Sequence, residues 1–379
     1  MKSSRILAAI LLLVVLAACS PSGKSNQAAP GTVLWTFPTQ GEVWSSPAVQ
    51  DGVVYFGSDD HSVYAVNVKT HKLKWQFTTG DIVRSRPAVD KGKVYISSDD
   101  GYLFAVNAKT GKQVWKFDMG RSLVKREPMP QSWDYMQSSP VVADGVVYVG
   151  TGNLSFFAVD AKTGQEKWHA QIGLYVRDTP AVADGVVYVG DWLGTLHAFD
   201  AKTGQVKWEF STHGAVIPSP TVVDGVIYVG SKFPCLYALD AETGKQNWCH
   251  SFGTSWVESS AAVIDGTVYV GSSDLQRVKA IDAATGELKW DFLTEGDPWS
   301  SPAVSYGVVY IGSTKGYLYA LDAVTGAHLW NVKTGKSLDA SAHEPVRFDG
   351  GVVSSPMVVD GVVYFGGLDG KLYAVSAQQ

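Results

Sequence analysis

One phrase recurs along this chain, of the form DGVVYVGS...LYALDAKTGxxxWxF, and its tryptophans fall at Trp75, Trp115, Trp168, Trp208, Trp248, Trp290 and Trp330. Most of the spacings are 40 to 42 residues, a period that implies one supersecondary unit per repeat. The last copy, DGVVYFGGLDGKLYAVSA, stops before its turn and tryptophan, and TVLWTFPTQG near the other end supplies the missing piece with Trp35. Seven whole units and one split unit make eight.

Each unit reads as four short strands. The SPAV and VVYVG runs are apolar and β-branched, as suits strands covered on both faces, and LYALD and the WxF segment follow. Gly at the end of AKTG suits a type I turn closed by a left-handed residue, and DG before each VVY does the equivalent work between the first two strands. Four-stranded units at this period predict an all-β, eight-bladed β-propeller over 32–379, its strands running from a central channel outward. Pairing the N-terminal strand into the C-terminal blade closes the ring and removes the seam. The eight recurrent tryptophans, Trp35 included, then pack between blades with each N–H on a backbone partner, which makes them structural rather than ligand-binding.

The approach to each inner strand behaves differently. WSSPAV at 44 returns as RSRPAV at 84, QSSPVV at 137, RDTPAV at 177, IPSPTV at 217, ESSAAV at 258, WSSPAV at 299 and VSSPMV at 353. The SSP frame is expected to begin the inner strand, which puts its preceding position at the channel mouth once per blade. Trp44, Arg84, Gln137, Arg177, Ile217, Glu258, Trp299 and Val353 form that variable ring, with Asp178 beside it. Two connections leading to this face carry insertions, 121–137 and 336–351, which bring Lys125, Arg126, Trp133, Tyr135, His343, Arg347 and Phe348. Aromatic and Arg residues in this mixture are typical interface anchors.

Other chemistry finds little support. The charge balance of 31 basic and 36 acidic residues, net -5, leaves no basic stripe for nucleic acid. The eight His residues fall singly, without metal-ligand spacing. Asp59-Asp60 and Asp99-Asp100 sit between the second and third strands, where turn chemistry accounts for them. Cys235 and Cys249 lie on the third and fourth strands of one blade at nearly opposite register, so a cross-strand disulfide is within reach, whereas a one-step offset would leave the pair diagonal.

The N-terminal 1–18 has the layout of a secretory signal: Lys2 and Arg5, an apolar run from Ile6 to Leu16, then small residues. Leu16-Ala17-Ala18-Cys19 matches a lipobox, which would place the lipid on the Cys19 thiol and make 19–31 a flexible tether. Ser20 in place of Asp favours the periplasmic face of the outer membrane.

Repeats of the form VYVGSxDGxLYALDAKTGxxxWxF resemble the quinoprotein-type propeller repeat shared by pyrroloquinoline quinone (PQQ) dehydrogenases and non-enzymatic relatives. A lipobox ahead of one lone ring is similar to the propeller lipoproteins of outer-membrane β-barrel assembly. That resemblance implies a non-catalytic, lipid-anchored, monomeric scaffold that meets assembly proteins through one face and carries no cofactor or metal. It also implies partner contact through an Arg before an inner strand near mid-chain, a place that Arg177 in YVRDTP occupies. The alternative is a PQQ-dependent dehydrogenase or small-ligand binder, with Arg84, Arg177, Asp178 and Glu258 around a floor of Trp44 or Trp299. Departures from the enzymes are the lack of Asn in the frame, of an adjacent Cys pair and of a C-x-x-C-H haem site.

Overall fold

The computed structural model describes residues 28–120, 138–336 and 350–377. Cys19 and the signal segment, Gln137 with the whole of the first insertion, and residues 337–349 of the second, including Arg126, Trp133 and Arg347, lie outside the described residues.

Eight four-stranded antiparallel sheets form the blades of a propeller. Blades 1 to 8 begin at the inner strands Ala48–Gln50, Ala88–Asp90, Val141–Ala143, Ala181–Ala183, Thr221–Val223, Ala262–Ile264, Ala303–Ser305 and Met357–Val359. Blade 4 continues through Val186–Gly190 and Thr195–Asp200 to the outer strand Val206–Ser211. In blade 8 the outer strand is Val33–Pro38, from the other end of the chain, paired to Lys371–Ser376. The ring closes as the split repeat requires. Gly31, read as the end of the tether, already belongs to this blade: its N–H donates to Ser376 O, and it lies under Trp330 where the other blades place their turn glycine.

The two turn types differ more than the sequence suggested. Asp184 and Gly185 both have positive φ, 49° and 75°, and Ala183 pairs directly with Val186. This is a two-residue type I′ hairpin, whose twist matches that of the strands it joins. In the AKTG turn Asp160 Oδ1 accepts the N–H groups of Lys162 and Thr163, and only Gly164 turns left-handed.

The glycine of that turn has a second role. A Cβ on Gly204 would stand 2.7 Å from the indole of Trp168, the tryptophan of the preceding blade, and Gly111, Gly164, Gly244, Gly286 and Gly326 meet their preceding tryptophans in the same way. Each indole therefore lies flat against the next blade's turn. In these six interfaces its Nε1–H donates to an alanine carbonyl there, as Trp168 does to Ala201 at 3.0 Å and Trp290 to Ala323 at 3.0 Å. The same carbonyl accepts a second-strand tyrosine hydroxyl from the tryptophan's own blade, Tyr148 to Ala201 at 3.0 Å. One acceptor thus uses both lone pairs to bind two aromatic side chains of the neighbouring blade. Trp330 Nε1, by contrast, is buried without a hydrogen-bond partner among the described residues, contrary to the expectation that every blade tryptophan would have a backbone acceptor. In blade 1 His71 replaces the glycine, and Trp35 stacks on its imidazole at 5.0 Å instead. The apolar core is correspondingly interblade: Tyr148, Phe156 and Trp168 of blade 3 pack with Val187, Val189 and Phe199 of blade 4.

Two substitutions separate backbone strain from this packing. Gly185→Ala, where φ is 75° and no atom lies within 4 Å, should cost about 1–2 kcal/mol for a left-handed Cβ. Gly204→Ala carries that cost and must also displace Trp168. Urea denaturation should show it to be the less stable by at least about 1 kcal/mol.

Candidate binding face

The inner strands begin after the proline of the frame rather than at SSP. The proline is present in seven blades and has no N–H for the ladder; in blade 6 Ala261 replaces it, and the strand still begins at the next residue. At the two positions before it, most residues bond elsewhere. The first forms a buried ring. Ser138 Oγ accepts Gly150 N–H of its own blade and donates to Asp178 O of the next, and Ser354 Oγ does the same with Gly366 N–H and Ser45 O. Asp178 occupies this scaffold position. Its Oδ2 accepts Gly190 N–H at 2.8 Å, the bond that serine makes in other blades. Its side chain is buried, and desolvation raises its pKa well above the ordinary carboxylate value despite the Gly190 bond.

The second frame residue forms another belt. Backbone N–H groups of Arg86, Thr179, Ser219, Ser260, Ser301 and Ser355 donate to the hydroxyls of Ser139, Ser219, Ser260, Ser301, Ser355 and Ser46 in the following blades, at 2.8 to 3.0 Å. The recurrent frame letters thus serve hydrogen bonds within and between blades, and the letter before them faces the mouth. Trp44, Arg84, Arg177, Ile217, Glu258, Trp299 and Val353 all line one cavity of about 630 Å³ over the inner strands.

Within that cavity the ring divides into two sides. On one, Trp44 is 4% exposed and clusters with Leu368, Trp299 and Val353. The Arg84 guanidinium lies 4.4 Å over the Trp44 ring and is ion-paired to Asp59, Nη2 to Oδ2 at 2.6 Å and Nε to Oδ1 at 3.0 Å. Asp59 is therefore more than a turn residue. Asp60 and Asp100 likewise reach to the incoming loops, accepting the N–H groups of Gln40 and Gly80.

On the other side a stack alternates aromatic rings and cations. The Arg177 guanidinium sits 5.6 Å from Tyr175 and 4.1 Å from Trp192, and Lys232 Nζ bridges Trp192 at 4.5 Å and Trp256 at 4.6 Å. Beside it Leu193 and Phe233 are 63% and 45% exposed. The Trp192 turn is anchored from below: Asp191 binds Thr195 N–H and buried His197, whose other nitrogen meets Glu209. Burial acts to raise the Asp191 pKa, but the His197 and Thr195 bonds bring it below the ordinary value.

Of the sequence-derived residues, the structure thus sets Arg177 in an aromatic cluster, places Glu258 on the cavity wall near Ser273, and holds Trp44, Trp299 and Arg84 against one another. Sequence reasoning missed Trp192, Lys232, Phe233 and Trp256. Their signal was that DWLG and SKFP depart from the short polar turns of other copies. Cys235 and Cys249 form a disulfide with Cα atoms 5.8 Å apart, although Cys249 pairs with Tyr237 and the bond is therefore diagonal.

Of the two aromatic floors expected for a flat tricarboxylate cofactor, the Trp44 one is obstructed. The Trp44 ring that would form its floor is covered by Arg84 and by its apolar neighbours, and the Arg84 charge is committed to Asp59. Among the described residues no three His, Cys, Asp or Glu side chains converge as a metal site.

Eight four-stranded blades joined through a recurrent tryptophan define a quinoprotein-type β-propeller. The chain belongs to the family described as outer membrane protein assembly factor BamB, whose sequence profile matches residues 24–115, 75–217 and 194–379. Among solved structures, BamB from Moraxella catarrhalis superposes with a TM-score of 0.72 at 19% identity, covering 91% of this chain and 99% of that one. A europium-containing methanol dehydrogenase gives 0.72 at 16%, covering 91% and 93%; at these identities the likeness concerns the fold. BamB of Yersinia pestis is 36% identical over 112 residues, 30% of this chain and 26% of that protein. A polyvinylalcohol dehydrogenase of Sphingopyxis sp. is 33% identical over 132 residues, 28% and 20%. The matched segments span only a fifth to about a quarter of these curated relatives.

The buried carboxyl of Asp178 gives a pH test. Its folded-state pKa is raised, so its contribution to stability is full below the unfolded value of about 3.9 and is lost as pH rises through the folded pKa. Asp178→Asn removes that loss. Denaturation between pH 4 and pH 8 should show the variant gaining on the wild type as pH increases; a gap that is constant or narrows with pH would contradict the assignment.

Proposed function

We propose that this chain is a non-catalytic periplasmic scaffold in outer-membrane β-barrel assembly, and that it meets its protein partners through the face that carries the Arg177 stack. The observation that supports the reading is the amphipathic patch of Tyr175, Arg177, Trp192, Lys232 and Trp256 beside exposed Leu193 and Phe233. Aromatic and Arg side chains held in a fixed geometry bind protein surfaces with little further loss of rotamer freedom. Family membership supports the same role. The Cys235–Cys249 disulfide suits an oxidising compartment. In this reading Cys19 carries lipid at the outer membrane, residues up to the blades act as the tether, and the propeller works as a monomer within a complex.

The quinoprotein reading draws on the dehydrogenase relatives, which match at similar identity. The covered face of Trp44 speaks against it. Saturable binding of PQQ with calcium, accompanied by dye-linked alcohol oxidation, would overturn the scaffold role.

Affinity capture from solubilised membranes tests the partner face. Arg177→Ala or Trp192→Ala should weaken recovery of barrel-assembly components roughly 10- to 100-fold, about 1–3 kcal/mol, with blade stability retained. Undiminished capture by both variants would exclude this face. Cys19→Ala should move the protein from the membrane to the soluble periplasmic fraction; continued membrane fractionation after high-salt washing would argue against a lipid anchor.

A further inference from the structure

The second frame residue is a hydroxyl in seven blades, Ser46, Ser139, Thr179, Ser219, Ser260, Ser301 and Ser355, and a guanidinium in blade 2, Arg86. All eight line the cavity. The substitution has a structural cost, because Arg86 has no hydroxyl with which to receive the belt bond from blade 1. Its own backbone N–H keeps its place in the belt, donating to Ser139 Oγ at 2.8 Å. The side chain is encircled by the inner strands, so water in the bore reaches it while bulk screening is reduced, and desolvation lowers its pKa from the ordinary Arg value without removing its charge.

The local donors greatly outnumber the acceptors. Among the described residues the Arg86 guanidinium makes one hydrogen bond, from Nη2 to the thioether of Met357 at 3.6 Å, a weak acceptor that offsets no charge. The belt hydroxyls of Ser46, Ser139, Ser219, Ser260, Ser301 and Ser355 each accept a backbone N–H, which leaves their O–H protons to donate. Of the carboxyls on the wall, Asp178 is bound back to Gly190, and Glu258 stands in blade 6, diametrically across from blade 2. Arg84 and Arg177 stand one residue before the SSP frame of their own blades, with Arg84 paired to Asp59. A guanidinium with at least four uncommitted N–H donors, ringed by hydroxyls, is the donor set that recognises a small oxyanion.

We propose that the propeller bore binds a free small oxyanion, a phosphate or a polycarboxylate, on Arg86 and the belt hydroxyls. The site shares its cavity with Arg177 but uses the belt residues rather than the aromatic stack, and it does not depend on the scaffold role. Its test is calorimetric titration of the purified full-length protein with inorganic phosphate and, separately, with citrate, in buffer held at constant ionic strength with sodium chloride. Arg86→Ser places in blade 2 the residue that four of its counterparts already have at the equivalent step of an SSP frame, and it restores the belt hydroxyl, so it should fold at least as well as the wild type. The expected result is saturable binding of one or both anions, weakened about ten-fold or more by Arg86→Ser and partly retained by Arg86→Lys, with capture of protein partners unchanged. Which anion binds identifies the ligand class. Binding of neither anion, or affinity that is the same in Arg86→Ser, would overturn the proposal.

Discussion

The indole of one blade lying on the turn glycine of the next is the contact on which the rest of this molecule depends. Taking Trp168 as the example, the ring fills the space that a Cβ on Gly204 would occupy, and its N–H shares the Ala201 carbonyl with Tyr148. No blade buries its own apolar face; each is completed by its neighbour, as the mixed composition of every core cluster shows. Stability is therefore distributed around the ring, and the chain ends must be joined within a blade for the last interface to form. Gly31 beneath Trp330 and the pairing of Val33–Pro38 with Lys371–Ser376 meet that need.

This outer coupling is matched near the axis by the two serine belts. Together they tie most of the approaches to their neighbours and leave the residue before each frame to face the mouth. The residues at this position form two unlike halves. Trp44, Trp299 and Val353 pack with one another and with Leu368, closing their side by apolar contact. Arg177 and its neighbours remain an ordered array of rings and cations, held by the Asp191–His197–Glu209 network beneath.

Much of the architecture was legible because it repeats: blade number, strand order, ring closure and the outer position of the tryptophans all follow from period and turn chemistry. The site was legible only in part. The variable ring is visible as a break in a regular pattern, and its seven described members do line one cavity. What could not be read was which of them satisfy each other. Trp44 and Trp299 are 255 positions apart and meet only because blades 1 and 7 curve together beside blade 8. Arg84 meets Asp59 across two loops, and Lys232 reaches two tryptophans from different loops. The turn between second and third strands carries Asp in most copies, so nothing local marks the aromatic versions at Trp192 and Phe233 as members of a cluster. The glycine of AKTG was understood as a turn residue, and its role as the bed of the neighbouring indole needed three dimensions.

On the proposed function, one face of the propeller meets the assembly partners. Photo-crosslinking in intact cells tests it most directly, with the reactive residue placed either at Leu193 on the Arg177 side or at Val324, 82% exposed in a turn on the opposite face. Crosslinks to barrel-assembly components are expected from position 193 and none from position 324. Equal crosslinking from both positions, or crosslinking from 324 alone, would contradict it.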